Sequence, residues 1–216
     1  MTADYTKAAT RAIETLIEFG VTSSPISPLP MLEKMKNVIV LSFSELSELS
    51  GMRVFDFAQA FKKNFDAMTS ANTENGVVHY TIAYNSFLPF SVLQRALARE
   101  MGHIVLGHVE YSEENNEEAL CFAHHLLCPR PLIHALQATC LRLTNDLIAN
   151  ITGAFEHSIT AMRKLPRTDV PVHLNRFLRN QITPFVINYF NFYQTAVFDD
   201  GSALADLGSF MEGYCE

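Results

Sequence analysis

The sequence predicts an α+β fold in which a small, antiparallel-containing sheet precedes a helical bundle. The first observation is a hairpin signal: the turn-forming run Asn72–Gly76 leads into Val77–Asn85, which is rich in β-branched and aromatic residues. The second is that apolar residues recur at helical spacing from Pro89 almost to the end of the chain. With 216 residues, 48% of them apolar, the chain is long enough to bury a substantial core.

The elements before the hairpin are predicted as follows. A first helix is expected over Ala3–Phe19, ended by Gly20. A proline-rich turn then leads into a short helix over Met31–Met35 and a strand over Asn37–Phe43.

The segment Ser44–Met68 has a weaker pattern. Five residues favour a helix through its middle: Phe55, Phe57, Ala58, Phe61 and Phe65. A strand over Asp66–Ala71 is the expected continuation. After Pro89, helices are predicted over Pro89–Val105, Asn116–Leu127, Pro131–Cys140, Thr144–Ile151, Ala154–Arg163 and Val172–Phe192.

Composition excludes several classes of function. The formal net charge is −7, and the Lys and Arg residues are scattered, so direct binding of nucleic acid is not expected. No secretory signal and no apolar run of bilayer length are visible, and four cysteines lack disulfide-framework spacing. A cytoplasmic protein is the expectation.

The segment Ala98–His108 carries the clearest chemical signal, because it almost matches HExxH. In that motif two histidines one helical turn apart grip zinc, and the intervening glutamate activates the metal-bound water. Here Arg99 occupies the first histidine position, followed by Glu100 and His103. His108 is predicted only to cap the helix.

Three segments in order resemble the ImmA/IrrE family of metallopeptidases: the strand Tyr80–Asn85, the helix ending at His108, and the run Glu118–Pro129. Including looser similarity on both sides of these segments, the resemblance covers about residues 1–165. It implies a zincin-like domain over residues 1–130. The helical pattern that follows predicts a C-terminal region over residues 131–216 packed on this domain, and the resemblance does not explain the last fifty or so residues.

The same resemblance implies roles for individual residues. Glu100 matches the general base, while His103 and Glu118 match two metal ligands, and Arg99 replaces the third. Substrate binding is assigned to Tyr84 and Asn85: they close the strand, and the strand is expected to offer a free edge to a substrate backbone.

An arginine changes the chemistry of such a site. Arg99 cannot offer a lone pair to zinc, and its positive charge repels the ion. With Glu100 and Glu118 nearby, its guanidinium is expected to supply the charge that the metal would have given. No cofactor is then expected, and Glu100, His103 and Glu118 are vestigial.

A rearranged zinc site is the alternative. Cys121 and His125 share a helix face with Glu118, so either residue is a candidate substitute ligand beside His103. That reading implies an active zinc peptidase that cleaves a helix-turn-helix repressor.

The leading hypothesis is a catalytically silent relative that serves as an intracellular protein-binding or regulatory module. Its partner is expected to be a protein or peptide, such as the helix-turn-helix repressor that the resemblance connects with mobile elements or stress responses. A homodimer is compatible with the aromatic residues between Phe177 and Tyr193. A structural protein that reuses the fold is a third class.

Overall fold

The computed structural model describes residues 2–54, 56, 66–110, 112–139, 143–154, 156–164 and 169–200, without the side chains of 157, 163, 164 and 193–200. The described part is mostly helical with one small sheet, which confirms the α+β class. In chain order the elements are α1 (Tyr5–Glu18), α2 (Pro28–Glu33), β1 (Val38–Ser42), α3 (Phe43–Ser50), β2 (Ala67–Glu74), β3 (Val77–Tyr84), α4 (Phe90–Leu106), α5 (Glu113–Leu127), α6 (Arg130–Thr139), α7 (Asn145–Thr152), α8 (Glu156–Lys164) and α9 (Val172–Asp200).

The three strands form a mixed sheet in the order β1-β3-β2. β1 pairs with β3 in parallel, and β2 pairs with β3 antiparallel. The predicted hairpin is confirmed: Asn75 (φ 51°) and Gly76 (φ 79°) both adopt positive φ at its turn, the conformation that tight two-residue hairpins require.

The prediction that the Tyr84 strand is a sheet edge is wrong. Tyr84 pairs with Ser42 of β1 on one side and with Ala67 of β2 on the other, so β3 is the central strand. The reason is that β3, which follows β2 in a hairpin, also lies parallel beside β1, and local patterning does not reveal such a long-range pairing.

The weakly patterned segment after β1 is only partly described. Ser42 caps the start of α3: its hydroxyl accepts from the Glu45 amide, while the Glu45 carboxylate accepts from the Ser42 amide. The expected strand near residue 66 is confirmed as β2, which runs on to Glu74. The phenylalanines at 55, 57, 61 and 65, on which the middle helix was predicted, lie outside the described residues, as does Cys140.

One buried core joins the helices on both sides of the predicted boundary at residue 130. It includes Leu16 of α1, Met101 of α4, Phe122 of α5 and Leu178 of α9, all fully buried. In α5 every residue from Ala119 to Leu127 except Leu120 is buried, so this helix lies at the centre of the fold. The helices described here include none long and apolar enough to cross a membrane.

Helices α4 and α5 approach each other closely at a glycine. A Cβ atom added to Gly102 would lie 3.0 Å from the Ala119 carbonyl oxygen and 3.1 Å from Cδ1 of Phe122. A side chain at this position would crowd α5, so the glycine permits the close approach of the two helices that carry the candidate site residues.

Candidate functional site

Helix α4 positions Arg99, Glu100 and His103, and helix α5 positions Glu118. β2 runs beside α4, and residue 4, at the start of α1, reaches α5. The structure gathers the predicted residues into two hydrogen-bonded groups rather than one.

The first group joins Arg99 and Glu100 to β2. The Glu100 Oε1 atom accepts from Arg99 Nη2 at 2.7 Å and from Nε at 3.0 Å. Arg99 Nη2 also donates to the Ala67 carbonyl at 3.0 Å, and the Thr69 hydroxyl donates to Glu100 Oε2 at 2.7 Å. Both oxygens of the Glu100 carboxylate therefore have partners.

This group is largely removed from water. The side chains of Arg99 and Glu100 are 16% and 5% exposed. An ionised carboxylate at that depth is stable only when it is paired, and the guanidinium with the Thr69 hydroxyl meets that requirement without a metal ion.

The second group is a chain of hydrogen bonds from His103 to the amino-terminal segment. Nδ1 of His103 lies 3.1 Å from Nδ1 of His108, and Nε2 of His108 lies 3.2 Å from Oε2 of Glu118. The other oxygen of Glu118 accepts from the backbone N–H of Asp4 at 2.8 Å. Two further contacts fasten the same segment: the Tyr5 hydroxyl donates to Glu117, and the Cys121 thiol lies 3.6 Å from the Tyr5 carbonyl.

The proton positions in this chain follow from chemistry. A carboxylate only accepts, so Nε2 of His108 carries the proton that faces Glu118. If Nδ1 of His108 accepts the hydrogen bond, Nδ1 of His103 carries the donated proton, and Nε2 of a neutral His103 keeps its lone pair. Burial, followed by the nearby His108 and Arg99, lowers the pKa of His103 to about 4, so its ring is neutral near pH 7.

Two predictions about these hydrogen-bonded residues are wrong. Arg99 was expected beside both acids, but it bonds to Glu100, while Glu118 is held by His108 and Asp4. His108 was expected only to cap the helix, but its side chain is 7% exposed and lies between His103 and Glu118.

Backbone geometry explains the position of His108. Gly107 ends α4 in the left-handed conformation (φ 74°), and the chain turns back so that the His108 amide donates to the His103 carbonyl at 2.9 Å. The sequence signal was present as a Gly-His pair directly after the helix. A glycine in this position can reverse the direction of the chain, which places His108 beside the last turn of α4.

Asn85 closes β3, as expected. Its side-chain oxygen accepts from the Phe87 amide at 3.0 Å, and its own amide donates to the Asp66 carbonyl at 2.9 Å. Tyr84 is half-buried; burial, followed by Glu45 and Glu33, raises the pKa of its phenol. Contact of either residue with a substrate stays a prediction.

The proposed substitute ligands are deeply buried. Burial raises the pKa of the Cys121 thiol to about 12, which opposes the deprotonation that a zinc–thiolate bond requires. His125 is 1% exposed, and burial with the nearby Arg130 lowers its pKa to about 3. Its Nε2 atom has no hydrogen-bond partner among the described residues.

The donor set in this arrangement does not fit a zinc ion. The first ligand position holds a guanidinium without a lone pair, and both oxygens of Glu118 are engaged by His108 and Asp4. Within the part of the chain that the structure describes, no three His, Cys, Asp or Glu side chains converge in a way that suits a metal.

Searches of protein-family models, of curated proteins and of solved structures found no match to this chain.

Proposed function

We propose that this chain is a catalytically silent relative of the ImmA/IrrE metallopeptidases that acts inside the cell as a protein-binding or regulatory module. The observation that carries the proposal is the buried pair formed by Arg99 and Glu100, 2.7 Å apart. A cation that cannot be deprotonated stands at the first ligand position, and the residue at the general-base position is bonded to it.

The zincin-like interpretation of the fold is supported by the order of its parts. A small mixed sheet precedes α4, which carries the Arg-Glu-x-x-His pattern, and α5 brings Glu118 to the far side of the His103–His108 contact. In this proposal, the scaffold is kept and the metal chemistry is replaced by ion pairing.

The binding role is supported by β2. This strand lies at the end of the sheet order, and its residues from Ser70 to Glu74 are exposed. Ala67 and Thr69 of the same strand contact the Arg99–Glu100 pair. An extended peptide that adds a strand along β2 would therefore lie beside this pair, and a helix-turn-helix repressor is the partner class that we propose.

The zinc content of the purified chain, measured by elemental analysis, tests the loss of metal chemistry. We expect well under about one zinc per chain after dialysis against a weak chelator. Peptidase activity on an unstructured protein substrate is measured in parallel, with Glu100→Gln as the matched variant. About one tightly held zinc per chain, together with activity that Glu100→Gln abolishes, would contradict the proposal.

A further inference from the structure

The charge of this protein is unevenly distributed along its sequence. Acidic residues outnumber basic ones by 23 to 16 overall. Yet the chain contains no Asp or Glu between Glu118 and Asp146, and none between Asp169 and Asp199. These two stretches supply α6 and most of α9, which pack against each other.

The packed helices form a groove whose described lining residues include no carboxylate. A depression of about 470 Å³ lies between α6 and α9, lined by groups that include His134, Asn175, Arg176 and Arg179. A second depression of about 500 Å³ continues along α9 past Pro184 and Ile187. Arg179 and Asn180 line both, so the two are parts of one surface, hereafter the α9 groove.

The spacing of the lining residues shows that the α9 groove follows one face of the helix. Val172, Arg176, Arg179, Thr183 and Ile187 recur at intervals of three or four, which places them on neighbouring turns. From Val172 to Asn188 the face is about 24 Å long.

The two arginines of the α9 groove are available to a partner. Both are exposed, and within the described residues neither forms an ion pair. Exposed apolar side chains stand along the same face: Val172 is 73% exposed and Ile187 is 45% exposed. A surface that combines unpaired guanidinium groups with apolar side chains is complementary to a segment that carries carboxylates and apolar residues together.

We propose that the α9 groove is a docking site for an acidic amphipathic segment of a partner protein. Arg176 and Arg179 would pair with the carboxylates of the partner, while Val172, Pro184 and Ile187 would contact its apolar residues. The site is distinct from the Arg99–Glu100 pair, so it extends the proposed module with a second contact surface.

Fluorescence anisotropy with the full chain tests this proposal. The probe is a fluorescein-labelled peptide of about 16 residues, with Glu and Leu on adjacent faces of one helix, long enough to span the groove. A control peptide carries Gln in place of every Glu. We expect the acidic peptide to bind more tightly than the control and its affinity to fall as salt is raised.

Charge reversal locates the binding site. Arg176→Glu combined with Arg179→Glu should weaken binding of the acidic peptide by about tenfold or more. The matched control is Lys34→Glu combined with Lys36→Glu, which reverses two exposed cations elsewhere and changes the net charge equally. It should change the affinity by less than about threefold.

Three results would overturn the proposal. One is an acidic peptide that does not bind, or binds no better than the Gln control. Another is an equal loss in both charge-reversed variants, which would mean that only net charge matters. The third is a single-stranded oligonucleotide that binds through Arg176 and Arg179 while the peptide does not.

Discussion

Arg99 and Glu100 are consecutive residues of α4, yet their side chains meet, with Nη2 of the guanidinium 2.7 Å from Oε1 of the carboxylate. Neighbours in a helix do not normally face each other. Here β2 brings them together, because the Ala67 carbonyl accepts from Arg99 and the Thr69 hydroxyl donates to Glu100. The ion pair thus lies within one helix, and its hydrogen bonds to Ala67 and Thr69 attach it to the sheet.

Replacing Arg99 by Met should destabilise the fold by about 3 kcal/mol, because Glu100 would remain buried without its cation. Adding Glu100→Gln should restore part of the loss, since a neutral amide needs no counter-charge. The free energy of unfolding in urea measures both effects. The matched control is Arg11→Met, which breaks the much less buried pair with Glu14 and should change stability by less than about 1 kcal/mol. Equal effects of Arg99→Met and Arg11→Met would show that the buried pair is not structural.

Replacing Arg99 by His should allow the chain to take up zinc. The new imidazole would supply the missing donor beside the Nε2 lone pair of His103, and it would remove the charge that repels the ion. We expect about one zinc per chain by elemental analysis. The double variant Arg99→His/His103→Ala, which lacks the second imidazole, should hold far less. A folded single variant that takes up no zinc would mean that His108 and Asp4 keep Glu118 from the metal.

Acid should destabilise the protein through the buried His125 and the half-buried His103. The folded-state pKa of His125, about 3, lies below the value of about 6.5 expected in the unfolded chain. Below pH 6.5 the unfolded state therefore binds more protons, and the free energy of unfolding falls as the pH drops toward 3. His103, with a pKa of about 4, acts in the same direction between pH 6.5 and 4.

Replacing His125 by Leu should reduce the fall in the free energy of unfolding at acid pH. Between pH 6.5 and 4.5 the wild type should lose about 2 kcal/mol more than His125→Leu. Urea denaturation at several pH values measures how the free energy of unfolding of each protein depends on pH. Comparing these slopes removes any difference in stability between the two proteins at neutral pH. His79→Leu, at an exposed position, is the control and should keep the wild-type slope. Parallel pH profiles for the wild type and His125→Leu would rule out this role.

Replacing Gly102 by Ala should destabilise the packing of α4 on α5. The new methyl group would lie 3.0 Å from the Ala119 carbonyl oxygen, so the helices must separate by a few tenths of an ångström. We expect a net loss of about 1 to 2 kcal/mol, because overpacking outweighs the gain in helix propensity. Thermal unfolding measures the loss. The control is Gln137→Ala at an exposed position of α6, which should change the stability by less than about 0.5 kcal/mol. A Gly102→Ala protein as stable as the wild type would contradict the close approach.

Local patterns predicted much of the architecture. The hairpin was visible because Asn75 and Gly76 are residues that tolerate positive φ, and most helices were visible from their apolar periodicity. The central place of β3 was not predictable in this way, since parallel pairing with β1 depends on a connection through residues distant in sequence.

The candidate site was predictable in its residue types but not in its pairing. The spacing of Arg99, Glu100 and His103 identified which side chains share the end of α4. It did not show that the Thr69 hydroxyl and the Ala67 carbonyl would complete the first group, because those contacts cross 31 and 32 positions. Nor did it show that the main chain at Asp4 would hold Glu118.

The bond between the Asp4 amide and Glu118 joins positions 114 residues apart. Because the donor belongs to the main chain, exchanging the Asp4 side chain for another would leave it in place, whereas displacing the backbone would not. Closure of so long a loop carries a large entropic penalty that only later contacts offset. The carboxylate of Glu118 can therefore reach its final environment only after α1 has docked against α5. During folding, the completion of the site thus depends on the amino-terminal segment.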